Sequence, residues 1–190
     1  MLISDDYRKQ QEKLHENPNY GVASLQFAPL VTQLINKFDI TELLDYAAGK
    51  GRLMHAIKPD HSVKVQCYDP GVPKWSSSPT PSQMVCCIDA LEHIEPECLD
   101  DVLDDLKRVT LQIGFFTVHT GPAMKVLADG RNAHLIQKEP EWWLPKIMQR
   151  FTLRTFQRIE NGFYVVVYAN PRIEISNGTG HIRKPENGPH

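Results

Sequence analysis

With 190 residues, the chain has room for one ordinary domain and its core, and no room for a second full domain. A hydrophobic share of 41%, a charged share of 23% and a formal net charge of -2 describe a globular protein without the basic surplus of a nucleic-acid binder. The polar, acid-containing opening MLISDDYRKQQEK excludes a signal-peptide core, and no later apolar run reaches membrane-spanning length, so the expected location is the cytoplasm.

Residues 1–23 read as a polar N-terminal arm or lid, with Asn17-Pro18-Asn19-Tyr20-Gly21 as a turn. From Ser24 to Phe38 the apolar residues Phe27, Val31, Leu34, Ile35 and Phe38 recur at helical spacing, with Ser24 as the cap and Pro29 in the first turn. Ile40 to Leu44 reads as a strand that passes through a turn containing Gly49 and Gly51 to a helix carrying Leu53 and Ile57. Val63 to Tyr68 is a second strand, the Pro- and Ser-rich stretch after it a loop, and Met84 to Ile88 a third strand.

Glu95 to Val109 places Leu99, Val102, Leu103, Leu106 and Val109 on one helical face, and Ile113 to His119 follows as a strand. Strands alternating with helices predict an α/β fold with a mostly parallel sheet covered on both faces. After Thr120 comes a connection longer than the ~12–15 residues beyond which structureless loops are uncommon, which points to a task for it. A helix over Trp142 to Gln149, then strands Thr152 to Ile159 and Phe163 to Tyr168 around an Asn161-Gly162 hairpin signal, close a domain spanning 24–170, and 171–190 read as a flexible tail. The four cysteines lack zinc-ligand spacing and read as reduced core residues, and no metal site is expected.

Three segments carry chemistry. The turn Asp45-Tyr46-Ala47-Ala48-Gly49-Lys50-Gly51 has small residues that let a ligand approach the backbone, although a tight packing turn explains them too. Asp69 ends the second strand, 24 residues after Asp45, where doubly wound folds hold ribose hydroxyls; an Asp-Pro turn is the alternative. The third segment is Ile88-Asp89-Ala90-Leu91-Glu92-His93-Ile94, directly before the amphipathic helix.

Together these resemble the class I S-adenosylmethionine (SAM)-dependent methyltransferases over residues 40 to 120, most specifically at Leu91-Glu92-His93; NAHLIQ and EPEWW also resemble small members of that family. The resemblance implies a Rossmann-like fold, SAM as cofactor and a methyltransferase activity. It implies that Asp45, Ala47, Gly49 and Gly51 cradle the methionine part, that Asp69 holds the ribose, and that Asp89, Leu91 and His93 line the side nearest the acceptor. Only 15 residues separate Asp69 from Met84, where the family places another helix and strand, so one edge unit of the sheet is expected to be shortened and Trp75 either stacks on the base or covers the edge. Such an edge is a place for a homodimer contact.

His93, His119 and Asp89 are the candidate catalytic groups, since a base is needed when the acceptor must lose a proton; His93 closing the pocket is the plainer reading. Tyr20, Arg131, Asn132 and His134 are the candidate acceptor-binding residues, Arg131 through a bidentate pair with a carboxylate or phosphate or else as part of a solvated turn. A small metabolite such as a sugar, nucleotide or carboxylate is the expected acceptor. A nicotinamide dehydrogenase fails at Met54 where its third glycine belongs, and a phosphate-binding loop fails at Gly51 where Ser or Thr belongs. The alternative is a catalytically degenerate methyltransferase-like binding module.

Overall fold

The computed structural model describes residues 1–17 and 21–169; Tyr20 and the segment 171–190 lie outside them. In chain order the elements are α1 (Asp5–His15), α2 (Ala23–Lys37), β1 (Glu42–Tyr46), α3 (Arg52–Ala56), β2 (Lys64–Tyr68), β3 (Ser82–Ile88), α4 (Leu99–Val109), β4 (Thr110–His119), α5 (Pro140–Met148), β5 (Thr152–Ile159) and β6 (Gly162–Tyr168), with single 3-10 turns at Pro73–Trp75, Leu91–His93 and Pro96–Cys98. The six strands form one sheet in the order β2-β1-β3-β4-β6-β5. The first four are parallel, and β6 and β5 return as an antiparallel hairpin.

Strand alternation divides the core in two. Leu44, Tyr46, Val85, Cys87, Phe116 and Val118 face α4 and the fully buried Trp143 of α5, while Leu43, Met84, Cys86, Ile113 and Phe115 face Val31 and Ile35 of α2 and Leu53 of α3. Neighbouring residues of one strand thus serve opposite layers, which is why β3 and the end of β4 read as unbroken apolar runs. The apolar stripe of α4 is buried throughout, and its acidic face is held by Arg150, 2.6 Å from Asp104 and 3.1 Å from Asp100. All four cysteines are free and buried. Among the described residues, no helix is long and apolar enough to cross a membrane.

Several elements differ from the sequence reading. Residues 5–15 form a helix, capped by Ser4 Oγ accepting the Tyr7 N–H at 3.2 Å. Its few buried side chains, Tyr7 and Gln11, made it read as an arm. Ser24 is no cap: α2 starts one residue earlier, after Val22, and Pro29 lies inside the helix, where it removes the donor to the Leu25 carbonyl. Leu25 is exposed, so water can take that bond. The strand expected at Ile40 to Leu44 runs two residues later, because Ile40 N–H still bonds to Ile35 O of the preceding helix and Asp39 turns at φ 50°. Asp45 is therefore a strand residue rather than a turn residue.

Between β2 and β3 there is only the 3-10 turn, so the sheet ends at β2 and lacks one edge unit. That outer edge is flanked by its own chain: Thr80 Oγ1 donates to Gln66 Oε1 at 2.9 Å, and Trp75 lies over Gly51 and Cys67 with Lys74 on its ring face.

The hairpin turn is Glu160-Asn161, with Asn161 at φ 62°, and Gly162 already pairs with His119 of β4. A Cβ at Gly162 would stand 2.2 Å from the Val118 carbonyl oxygen, so glycine serves close strand approach here. Gly162→Ala is expected to lower unfolding free energy by about 2–3 kcal/mol in urea titrations, the scale of a core overpacking.

Candidate functional site

A cleft of about 990 Å³, counted to its open mouth, lies at the carboxyl ends of β1, β2 and β3 under α1. Open parallel sheets bind ligands at this edge. Of the residues singled out from sequence, Asp45, Ala47, Gly49, Asp69, Asp89 and His93 line it.

The loop after β1 is built from left-handed residues, Ala47 at φ 61°, Gly49 at 53° and Gly51 at 68°. This conformation turns its amides outward: Ala48 N–H donates to Tyr68 O at 2.9 Å and Gly49 N–H to Asp69 Oδ2 at 2.8 Å. The second Asp69 oxygen accepts Gly71 N–H at 2.8 Å. Asp69 thus joins two loops, and each oxygen keeps one lone pair for a further donor.

The third loop begins at Asp89, itself left-handed at φ 53° and held by its N–H donating to Thr117 Oγ1 at 2.9 Å. Beyond it the Leu91–His93 turn aims its side chains in different directions. Leu91 is fully buried in the α4 layer of the core and does not line the cleft, and Glu92 is fully buried as well. His93 borders the cleft, with Nδ1 2.8 Å from the Ala133 carbonyl oxygen. Burial, reinforced by the nearby His134, pushes His93 down to about 4, so it is a neutral imidazole at neutral pH and a weak base.

The electrostatics are those of a negative, poorly solvated pocket. Burial, with Asp69 adding to it, pushes Asp45 up to about 7, and its Oδ2 is buried without a hydrogen-bond partner. Burial likewise raises Asp69, opposed by His15 and the Gly49 and Gly71 N–H groups. His15 Nε2 lies 3.9 Å from Asp69 Oδ2, and burial lowers its pKa.

Helix α1 contributes residues absent from the sequence reading. Tyr7, Gln11 and His15, spaced at i, i+4 and i+8, form one stripe over the cleft. Tyr7 Oη donates to His93 O at 2.7 Å, Ser4 N–H and Oγ donate to the Glu95 carboxylate at 2.8 and 2.6 Å, and a Cβ on Gly71 would meet Gln11 Cβ at 2.8 Å. That spacing is visible in the sequence, but the stripe is polar and carries no hydrophobic signal.

The remaining candidates are placed elsewhere. Gly51 packs under Trp75 and Cys67. His119 ends β4 outside the cleft. Arg131 is exposed and forks onto its own neighbour Asp129, Nη2 to Oδ2 at 2.7 Å and Nε to Oδ2 at 3.0 Å. Asn132 organises the long connection: its Oδ1 accepts Ala123 and His134 N–H, both at 2.9 Å, and its Nδ2 donates to Ala123 O at 2.8 Å. His134 is buried between the His93 and His119 rings, each with its centroid 4.7 Å away.

Solved structures share this fold. The 1,6-didemethyltoxoflavin-N1-methyltransferase of Burkholderia thailandensis, crystallised with S-adenosylhomocysteine, matches with a TM-score of 0.61 at 14% identity over 88% of this chain and 91% of its own. The magnesium protoporphyrin IX methyltransferase of Synechocystis PCC 6803, crystallised with SAM, matches with a TM-score of 0.56 at 13% identity over 86% of this chain and 93% of its own. The fold is that of the class I SAM-dependent methyltransferases. No family model matches the sequence, and no curated protein is detectably similar to it.

Asp45 is the group whose burial is least compensated. An acid raised from 3.8 to about 7 keeps its proton in the native state across a window where the unfolded chain has lost it, so stability falls as pH rises from about 4 to 7 and is level above. Asp45→Asn is therefore expected to raise the melting temperature at pH 8, by an increment of ~4 kcal/mol at most, and to leave it unchanged at pH 4.

Proposed function

We propose that this chain is a cytoplasmic SAM-dependent methyltransferase acting on a small-molecule acceptor. The observation that carries the reading is the buried, unpartnered Oδ2 of Asp45 on the floor of a methyltransferase-fold cleft that Asp69 and Asp89 also line. A carboxylate so placed requires a cation or a proton. SAM is a cation at both its ammonium and its sulfonium, and the cleft lies where open parallel sheets bind small ligands.

In this reading Asp45 accepts the ammonium and Asp69 uses its remaining lone pairs for the ribose hydroxyls. The Ala47 to Gly49 backbone lies against the methionine part. When bound, SAM supplies an electrophilic methyl group. The chain's own contribution is to hold the acceptor in line with it and to keep water out, the second through α1, whose Tyr7, Gln11 and His15 roof the cleft. Asp89 and His93 form the wall facing the acceptor. With a formal net charge of -2 and no basic surplus in this sequence, a sugar, nucleotide or carboxylate metabolite is the class of acceptor proposed.

The catalytically degenerate binding module draws support from one feature, the absent edge unit beside β2, where an adenine-contacting acid would stand. Transfer of a labelled methyl group to a pool of small metabolites separates the two: labelled product means enzyme, and tight SAM binding without any transfer means module.

Calorimetric titration with SAM and S-adenosylhomocysteine tests the cofactor site. Asp69→Asn is expected to weaken SAM about 10- to 100-fold, the loss of charge-assisted hydrogen bonds. Protons compete with the ammonium for Asp45, so SAM affinity is expected to be flat above about pH 7 and to fall by up to about tenfold per unit below it, a dependence that Asp45→Asn removes. Folded wild type that binds neither molecule would overturn the reading.

A further inference from the structure

The Leu91–His93 turn and the long connection from β4 to α5 meet behind the cleft wall. Ile136 N–H donates to Glu92 O at 3.0 Å, and the Asn132 side chain braces the connection where it delivers His134. One ligating atom from each of Glu92, His93 and His134 lies within 4.8 Å of the other two.

Two independent features make this more than a meeting of polar side chains. Glu92 is fully buried; its Oε1 accepts His119 N–H at 2.8 Å, while its Oε2 is buried without a hydrogen-bond partner. A buried carboxyl oxygen left so requires a proton or a cation. The imidazoles, for their part, are already oriented: His93 Nδ1 sits 2.8 Å from Ala133 O and His134 Nδ1 2.7 Å from Gly121 O. A backbone carbonyl on one ring nitrogen sets the tautomer in which the other carries the lone pair, the usual outer support of a metal-binding histidine.

We propose that Glu92, His93 and His134 bind a divalent first-row transition-metal ion, with Asp89 beside it on the cleft side. Two imidazoles and one carboxylate suit zinc, manganese, iron or cobalt and are poorly matched to magnesium or calcium, which prefer all-oxygen sets. Bond lengths of about 2.0–2.2 Å require the three donors to close in by roughly 1 Å, within the reach of side-chain rotation.

The chemistry the ion would serve rests on the methyltransferase reading. With three protein ligands, coordination positions remain for an acceptor hydroxyl, which the ion acidifies so that no separate general base is needed. The hydroxyl proton leaves to solvent, the oxygen bonds the methyl carbon, and the carbon–sulfur electron pair returns to sulfur as neutral S-adenosylhomocysteine. The acceptor class is thereby narrowed to molecules presenting a hydroxyl, and the reaction to O-methylation.

The test is titration of chelator-treated protein with cobalt(II), read by its visible absorption, with zinc(II) as competitor and SAM affinity measured on each sample. One cobalt per wild-type chain is expected, displaced by zinc. Glu92→Gln and His134→Gln should each weaken cobalt by roughly 100-fold or more, beyond the loss caused by an outer-support change, while SAM affinity stays within about threefold of wild type. Wild type that binds SAM but neither metal at 100 µM overturns the metal site and leaves the cofactor reading standing. Undiminished cobalt binding in His134→Gln overturns this ligand set. Cobalt binding that depends on these residues, in a protein that binds no SAM, supports the site and removes the methyltransfer chemistry built on it.

Discussion

Four carboxyl groups, Asp45, Asp69, Glu92 and Glu95, are buried at or next to the carboxyl edge of one sheet, and a fifth, Asp89, is half-buried beside them. Like charges in a medium of low dielectric repel strongly, and each desolvated carboxylate carries a further penalty, so the surrounding structure is arranged around their compensation. Asp69 is compensated by backbone: the Gly49 and Gly71 N–H groups, both at 2.8 Å, tie the loop after β1 to the loop after β2. Glu92 is compensated on one oxygen by His119 N–H. Asp45 and the second oxygen of Glu92 have no such partner, and the functional proposals grow from these two atoms.

The same edge concentrates backbone strain. Ala47 and Asp89 hold left-handed conformations that cost a non-glycine residue on the order of 1 kcal/mol each, and both sit at strand ends facing the cleft. Backbone strain and carboxyl groups without partners thus coincide at the edge that the cleft occupies.

Helix α1 closes the site with an unusual economy of apolar contact. Tyr7 joins Leu127 and Ala133 in a small separate cluster with Ile3 and Leu14 packed against it, and polar contacts add to this through Ser4 to Glu95, Tyr7 to His93 O and His15 near Asp69. Polar attachments exchange readily with water, whereas a large apolar face does not. Through Tyr7, which packs on Leu127 and Ala133, the helix links the cleft to the long connection that carries His134.

The pattern of apolar residues determined much of this protein. A 3.6-residue spacing in Leu99 to Val109, and an unbroken apolar run such as Met84 to Ile88 that is buried on both faces, made the alternating α/β order and the mostly parallel sheet legible. The missing edge unit followed from the family resemblance and the short stretch between Asp69 and Met84, and Asp45, Gly49, Asp69, Asp89 and His93, singled out from the sequence, line the cleft. Tertiary structure decided what has no local signature. The polar stripe of Tyr7, Gln11 and His15 becomes a roof only because the sheet edge lies beneath it. Leu91 and His93 part company because a 3-10 turn sends one into the core and the other to the cleft wall. Arg131 and Asn132 turn to their own connection because Asp129 and Ala123 stand within hydrogen-bond reach of them. Glu92 and His134, 42 positions apart in the chain, share a site because a backbone hydrogen bond from Ile136 joins their segments; spacing along a chain records neighbours in sequence, and chemistry depends on neighbours in space.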